Sequence, residues 1–437
     1  METKQNELNP EDNPEMEEYS DENISVDDYT IWKKNSPYLY DVLMTFGLDW
    51  PSLTINFIPN NKIEKFNFYQ QKMVLGTHTS GQESEYLMIA KTRLPQHLSS
   101  LSKIKDNNPI LINQKQQENN NNININNNIN NNTNIPPKIE CKFEIEVKIL
   151  HDGEVNRAKI IPDYANKNEY RIIATQTSKG NVDIYDYFKR QTNKENKIPK
   201  PDIRLNGHTK EGYGLSWSKF KQGYLISGNY DKKLCLHDIE NSEPILTYEE
   251  HLNNIEDVCF NNIKDNIFIS CGDDKRLILY DYREKKPTKI VENAHEAEIN
   301  SCDFNNGNEF ILLTASSDKT CALWDIRNLD LKLHTFYHHK DSVYGVKWNK
   351  KLFNVFASFG DDKKINIWDI SQIGASIATT DNEDGASELI FTHCGHTNTI
   401  NDIDWNDNEE LMIASTSDDN VIQFWEMDNN VYYGEKD

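Results

Sequence analysis

The chain has no apolar run of roughly 18 residues, so no stretch reads as a membrane-spanning helix. The opening stretch, METKQNELNPEDNPEMEEYS, lacks the basic and apolar regions of a signal peptide. Cysteine is scarce: there are seven, with no CxxC pair, which argues against a disulfide frame or a zinc knuckle. Cys259, Cys271, Cys302 and Cys321 fall in strand-like runs and read as small buried residues in a reducing compartment. Positive charge is in deficit. Lys and Arg number 47 against 70 Asp and Glu, a net charge of −23. Such a chain repels nucleic acid and attracts basic partners. A glycine-rich phosphate loop, HExxH and GxSxG are all missing, so no catalytic set, cofactor or metal is expected. A soluble, intracellular binding protein is the expectation.

What is present is a repeat. His295 is followed by Phe304, Asp318 and Asp325, at offsets of 9, 23 and 30. The same offsets give Trp217, Asp231 and Asp238 after His208, and Phe260, Asp274 and Asp281 after His251. They give Trp348, Asp362 and Asp369 after His339, and Trp405, Asp419 and Glu426 after His396. A fixed period of this size means stacked copies of one supersecondary unit. Between the marks lie three short β-prone runs bounded by turn residues, such as INSCDF, FILLTAS and TCALWD. Each second run carries a Ser or Thr (Ser227, Ser270, Thr314, Ser358, Ser415). Each third run ends in an aromatic or His (His237, Tyr280, Trp324, Trp368, Trp425). This pattern resembles the WD repeat, in which Asp, His, Ser/Thr and Trp form a buried hydrogen-bonded set; buried polar groups need partners, so these residues read as structural.

In chain order, residues 1–24 are acidic, polar and expected to be disordered. Residues 25–48 read as a helical segment. Tyr29, Trp32 and Lys33 share a face, Ser36-Pro37 resembles a helix start, and Leu39, Val42, Leu43 and Phe46 form an apolar stripe. Residues 49–432 read as an all-β, seven-bladed propeller, with a C-terminal tail at 433–437. Within it, WPSLTINFI (50–58) is read as the strand that closes the ring by pairing into the last blade, which removes exposed edges. The first blade spans about 66–148 and holds KMVLGTHTS, EYLMIAKTRL and KFEIEVKIL. It is interrupted by an Asn-rich loop, about 98–138, with 12 Asn among residues 119–134, expected to be disordered. The second blade begins at His151. The step before His396 is 57 residues instead of 43 or 44, so an acidic insertion, 372–392, sits at a blade junction and enters blade seven.

Two surfaces could carry function. Three residues after each histidine stand Glu154, Glu211, Asn254, Glu298, Ser342 and Thr399; five after stand Asn156, Tyr213, Glu256, Asn300, Tyr344 and Asn401. Arg157 adds a guanidinium beside Glu154. In a propeller these positions face the central opening. Carboxylates, amides and tyrosines together suit an extended peptide bearing Lys or Arg; a solvated polar rim is the alternative. The second surface pairs Tyr38 and Leu39 with Phe391 and Val431 across an apolar groove rimmed by Asp381, Glu383 and Asp384, which fits a basic amphipathic helix.

IWKKNSPYLYDVLMTFGLDWPSLT, LGTHTS, HDGEVNRA, GHTKEGYGLSW, DKTCALWDIRNLDLKLHTF and NEDGASELIFTHCGHT resemble the retinoblastoma-binding, chromatin-assembly small-subunit family of WD-repeat histone-binding proteins, over most of 28–432. The resemblance implies a histone chaperone and scaffold of chromatin assembly, remodelling or modifying complexes. It implies a nuclear location and no direct binding of nucleic acid or membrane. Its partners would be histone four, histone three and subunits of assembly, deacetylase, acetyltransferase or methyltransferase complexes. The first helix of histone four would lie in the side groove on Tyr38, Leu39, Phe391, Thr392 and Val431, with Asp381, Glu383 and Asp384 holding its cations. Histone-three-like tails would lie on His78, Glu154, Asn156, Arg157, Glu211, Tyr213, Glu256, Asn300, Tyr344 and Asn420. The chain departs from the family pattern at Thr380, Ala386-Ser387, Ser342 and Asp418. A ubiquitin-ligase substrate adaptor and a ribosome-biogenesis propeller are the alternative functions.

Overall fold

The structure, a computed structural model, describes residues 21–59, 68–95, 110–113, 142–162, 171–191, 200–375 and 386–434. Residues 1–20, the Asn-rich stretch apart from 110–113, the acids Asp381, Glu383 and Asp384, and 435–437 lie outside the described residues. No helix among the described residues is long and apolar enough to cross a membrane.

Seven antiparallel sheets form a seven-bladed β-propeller. Blades three to seven start with the strands Gly212–Trp217, Ile255–Phe260, Ile299–Phe304, Val343–Trp348 and Ile400–Trp405, each beginning four residues after its histidine. Inside these blades the polar set closes as a chain. The histidine Nδ1–H faces the Asp carboxylate, so Nε2 is left to accept from the Ser or Thr hydroxyl. In blade five these contacts are 2.8 and 2.8 Å, and the Trp324 indole donates to Thr314 at 2.9 Å. His251, His339 and His396 reach their Ser hydroxyls at 2.7, 2.7 and 2.8 Å. The residue after each Asp (Lys232, Lys275, Lys319, Lys363, Asn420) adopts a left-handed φ of 60–71°, the geometry of the tight turn.

Ring closure differs from the sequence expectation. Helix α1 (Asp21–Leu39) ends where a helix was read to begin. Pro37 has no N–H to give the Lys33 carbonyl, and Ser36 Oγ donates to that carbonyl instead, at 3.2 Å. Ser36-Pro37 thus marks the last turn of the helix. The following strand β1 (Tyr40–Gly47) is the outer strand of blade seven, antiparallel to Val421–Met427 from Tyr40↔Met427 to Gly47↔Val421. Val42, Leu43 and Phe46 are therefore strand residues. Strand β2 (Ile55–Ile58), expected to close the ring, is the innermost strand of blade one. A four-residue strand, Ile110–Asn113, adds in parallel outside β1. The acidic insertion lies within blade six, between its strands Ile365–Asp369 and Leu389–His393.

Carboxylates on the inner strands bind the amides of neighbouring inner strands. Asp303 accepts from Trp348 N–H at 2.8 Å, and Asp257 from Cys302 N–H at 3.2 Å. At the closing seam, Asp402 and Asp404 of blade seven accept from the Ile55 and Phe57 amides of β2 at 3.0 and 2.7 Å. α1 docks on the rim through buried Trp32, whose indole donates to Tyr40 Oη at 2.7 Å; Tyr40 in turn meets His393 Nδ1 at 2.7 Å.

Candidate functional site

The loops before the inner strands gather at one end of the central opening. His78 Nε2 stands 3.4 Å from Glu154 Oε1, both partly exposed. Tyr213 and Tyr230 stack with centroids 5.9 Å apart, and the Tyr230 phenol donates to Glu256 at 3.2 Å. Burial, then the Glu211 and Glu256 charges, push the Tyr213 phenol up to about 12. Tyr344 is exposed, its phenol raised by partial burial and by Asp361, Asp341 and Asp418 nearby. Asn300 donates to Ser317 Oγ at 3.0 Å and to Val343 O at 2.8 Å. Asn420 sits in the blade-seven turn, its carbonyl accepting from Leu48 N–H at 2.7 Å.

Glu256 and Asp273 share a hydrogen bond between carboxyl groups. Burial first, then the Asp273 charge, raise Glu256 to about 8; burial also raises Asp273, with Glu298 and Asp274 adding to it. The pair holds a proton near neutral pH. A cation arriving between the two acids would release it.

Two of the expected residues turn away from this face. Asn156 is buried and donates to Gly212 O at 3.3 Å, a strut between blades. Arg157 points into the ring, 3.3 Å from the buried Asp402 carboxylate, rather than toward Glu154. There it lines a cavity of about 490 Å³ with Lys159, Lys347, Lys350, Asp257 and Asp303. Burial, then Lys347, bring the Lys159 ammonium down to about 8.

Sequence reading missed one ring of residues. Tyr230, Asp273, Ser317, Asp361 and Asp418 each stand 22 residues after their histidine. They interleave with the expected ring: Asp418 accepts from Asn401 at 2.7 Å, and Asp361 from Thr399 at 2.6 Å. The constant offset was the available signal, obscured because each residue adjoins the structural Asp.

On the side of the ring, α1, the strand Leu389–His393 and a short helix (Asn429–Tyr433) meet. Leu39 O accepts from Asp428 N–H at 2.9 Å, and Asn429 N–H reaches Asp41 at 3.1 Å. Tyr38 is 81 % exposed and Val431 42 %, with Ile31 and Tyr433 also exposed. Phe391 is buried behind them, 5.3 Å from the Tyr40 ring, and Thr392 Oγ1 donates to Asn366. Leu39 is half-buried against the same core. The free apolar surface is therefore Tyr38, Val431 and neighbours, while Phe391 supports it from beneath.

The family model for the histone-binding protein RBBP4 and its counterpart in the CAF1 complex matches residues 27–96, the segment that builds α1, β1 and the start of blade one. The WD domain, G-beta repeat model matches residues 242–281, 285–325, 331–369 and 387–426. The WD-40 repeat-containing protein MSI3 of Arabidopsis thaliana is 37% identical over 417 residues, 93% of this chain and 90% of that protein. Among solved structures, the WD40 propeller domain of Doa1 aligns with a TM-score of 0.58 at 16% identity, over 91% of this chain and 99% of that one, a likeness of fold alone. With these similarities and this architecture, the chain belongs to the RBBP4-type family of histone-binding WD-repeat proteins.

Proposed function

We propose that this protein is a non-enzymatic histone chaperone and scaffold, nuclear, and a subunit of chromatin assembly, remodelling or modifying complexes. In this reading the side groove takes the first helix of histone four. Exposed Tyr38 and Val431 meet its apolar face, and Asp381, Glu383 and Asp384 pair with its cations. The central face takes a histone-three-like tail along Glu154, Glu211, Tyr213, Glu256 and Tyr344. The observation that carries the proposal is the family match over residues 27–96, because those residues form the helix and strand beside the groove. The acidic balance of the chain favours basic ligands of this kind.

Calorimetric titration with a first-helix peptide and, separately, an Arg/Lys-rich tail peptide lacking histidine tests both surfaces. Each is expected to bind, and neither to displace the other; absence of helix-peptide binding by folded protein would overturn the groove assignment. The tail site carries a further expectation. Glu256 is protonated below about 8 in the free protein, and a cationic ligand favours its charged form. Tail affinity should rise with pH up to about 8 and level off above it, by at most about tenfold per pH unit. Glu256→Gln should weaken the tail peptide and flatten that slope while leaving the helix peptide unaffected. An unchanged slope in the variant would place the proton elsewhere.

A further inference from the structure

Blade three departs from the others in its buried polar set. Where blades five, six and seven carry Trp324, Trp368 and Trp425, and blades two and four carry Tyr185 and Tyr280, blade three carries His237. Two residues earlier on the same strand, where blade five has Ala322, stands Cys235. Residues i and i+2 of a strand share a face, so thiol and imidazole look the same way. They look toward His208. One ligand atom from each of His208, Cys235 and His237 lies within 4.8 Å of the other two. Cys235 and His237 are fully buried, and the His208 side chain is 1% exposed.

The hydrogen bonds leave one nitrogen over. His208 Nδ1 is 3.1 Å from Asp231, so it carries the proton and Nε2 accepts from Ser227 Oγ, at 2.8 Å. The one hydroxyl proton of Ser227 is thereby spent. His237 Nε2, 3.2 Å from the same oxygen, must donate to it. His237 Nδ1 then holds a bare lone pair, fully buried, with no hydrogen-bond partner among the described residues. A buried lone pair without a donor is costly, and a Trp or Tyr at this position would not create one. Gly207 makes room for the thiol: a Cβ at that position would come within 2.8 Å of Cys235 Sγ.

We infer that blade three holds a buried site for a borderline-soft divalent cation, Zn²⁺ in class, with His208, Cys235 and His237 as ligands. Two imidazoles and one thiolate match the donor preference of that ion. Asp231 behind His208 supplies the carboxylate–histidine arrangement that orients a metal-bound ring. On binding, Cys235 S–H gives its proton to solvent and the thiolate bonds the metal. Ser227 O–H turns from His208 Nε2 toward the Cys235 carbonyl, 3.4 Å away, freeing the ring nitrogen. Ser227 Oγ is also placed to fill a fourth position. Ligand separations must contract to about 3.5 Å, the edge of a tetrahedron with metal–ligand bonds of about 2.0–2.3 Å, which side-chain rotation supplies. The ion would staple two strands of the blade to the loop before it, in place of the missing indole. Because the site is closed, it loads during folding.

The test is to unfold the whole chain and refold it with Co²⁺ in place of Zn²⁺, then measure bound metal and the visible and near-ultraviolet spectrum. The expected result is one metal per chain, with a thiolate-to-cobalt charge-transfer band. Cys235→Ala should lose the band and the metal. His237→Tyr gives blade three the residue that blades two and four carry; it should fold, as judged by circular dichroism, and also lose the metal. Folded wild-type chain that takes up no stoichiometric Co²⁺ or Zn²⁺ overturns the inference. So does metal retained at wild-type stoichiometry in either folded variant, since the ligands would then lie elsewhere.

Discussion

Asp402→Ala is expected to lower the stability of the folded chain by about 3–5 kcal/mol, the range for breaking a buried ion pair from one side. The Asp402 carboxylate is wholly buried on the inner strand of blade seven. Lys347 Nζ lies 2.6 Å from it and Arg157 3.3 Å. It also accepts from the Ile55 amide of blade one at 3.0 Å and from Ile403 N–H at 3.0 Å. Removing it leaves Lys347, Arg157 and nearby Lys159 facing one another in the cavity, and it unpairs an amide at the seam where the ring closes. Urea unfolding of the variant measures the loss. A decrease under about 1 kcal/mol would mean that water and Asp257 compensate the cations instead. The same group sets an acid limit. Its pKa is lowered because, although burial opposes this, Lys347 and Arg157 favour the charged form. A depressed folded pKa gives stability that is present above the unfolded carboxylate range and lost as pH falls through the folded value. The wild type should therefore lose stability on acidification more steeply than Asp402→Asn.

Glu383→Lys combined with Asp384→Lys is expected to reduce binding of the histone-four first-helix peptide by about 10²–10⁴-fold. Two charge-assisted contacts at about 1.5–3 kcal/mol each account for that range. Tail-peptide affinity and the melting temperature should not change, because the substitutions fall within an insertion outside the repeated strands. That insertion leaves blade six after the turn at Ile370–Gln372 and returns at Ser387, whose hydroxyl donates to Gln372 O at 2.8 Å. The apolar side of the groove rests on α1 and the C-terminal helix, which are tied together by the Asp428–Leu39 and Asn429–Asp41 bonds. Titration of the folded double variant checks the expectation. Undiminished helix binding would remove the acids from the proposed interface, and a parallel loss of tail binding would show that the two surfaces are coupled.

Residues alone determined the repeated unit and therefore the propeller. His, Ser or Thr, Asp and Trp hold constant offsets because each blade repeats the same turns between strands, and a buried hydrogen-bonded chain tolerates no slip in any of them. The same regularity identified the +3 and +5 ring around Tyr213, Glu256 and Tyr344. Tertiary structure decided how the ring closes. YDVLMTFG and LTINFI are both short apolar runs, and local pattern cannot say which finds the open edge of blade seven; that edge is the partner of Tyr40–Gly47 because Val421–Met427 offers its unpaired backbone there. Tertiary structure also decided which way the polar residues point. Arg157 neighbours Glu154 in sequence, yet the uncompensated charge of Asp402, 245 positions away, draws it into the cavity. Glu256 gains its proton from Asp273 across a hairpin. The His208, Cys235 and His237 cluster carries no spacing motif, since one ligand comes from the loop before the blade and two from its third strand, and only folding brings the three within reach of one ion.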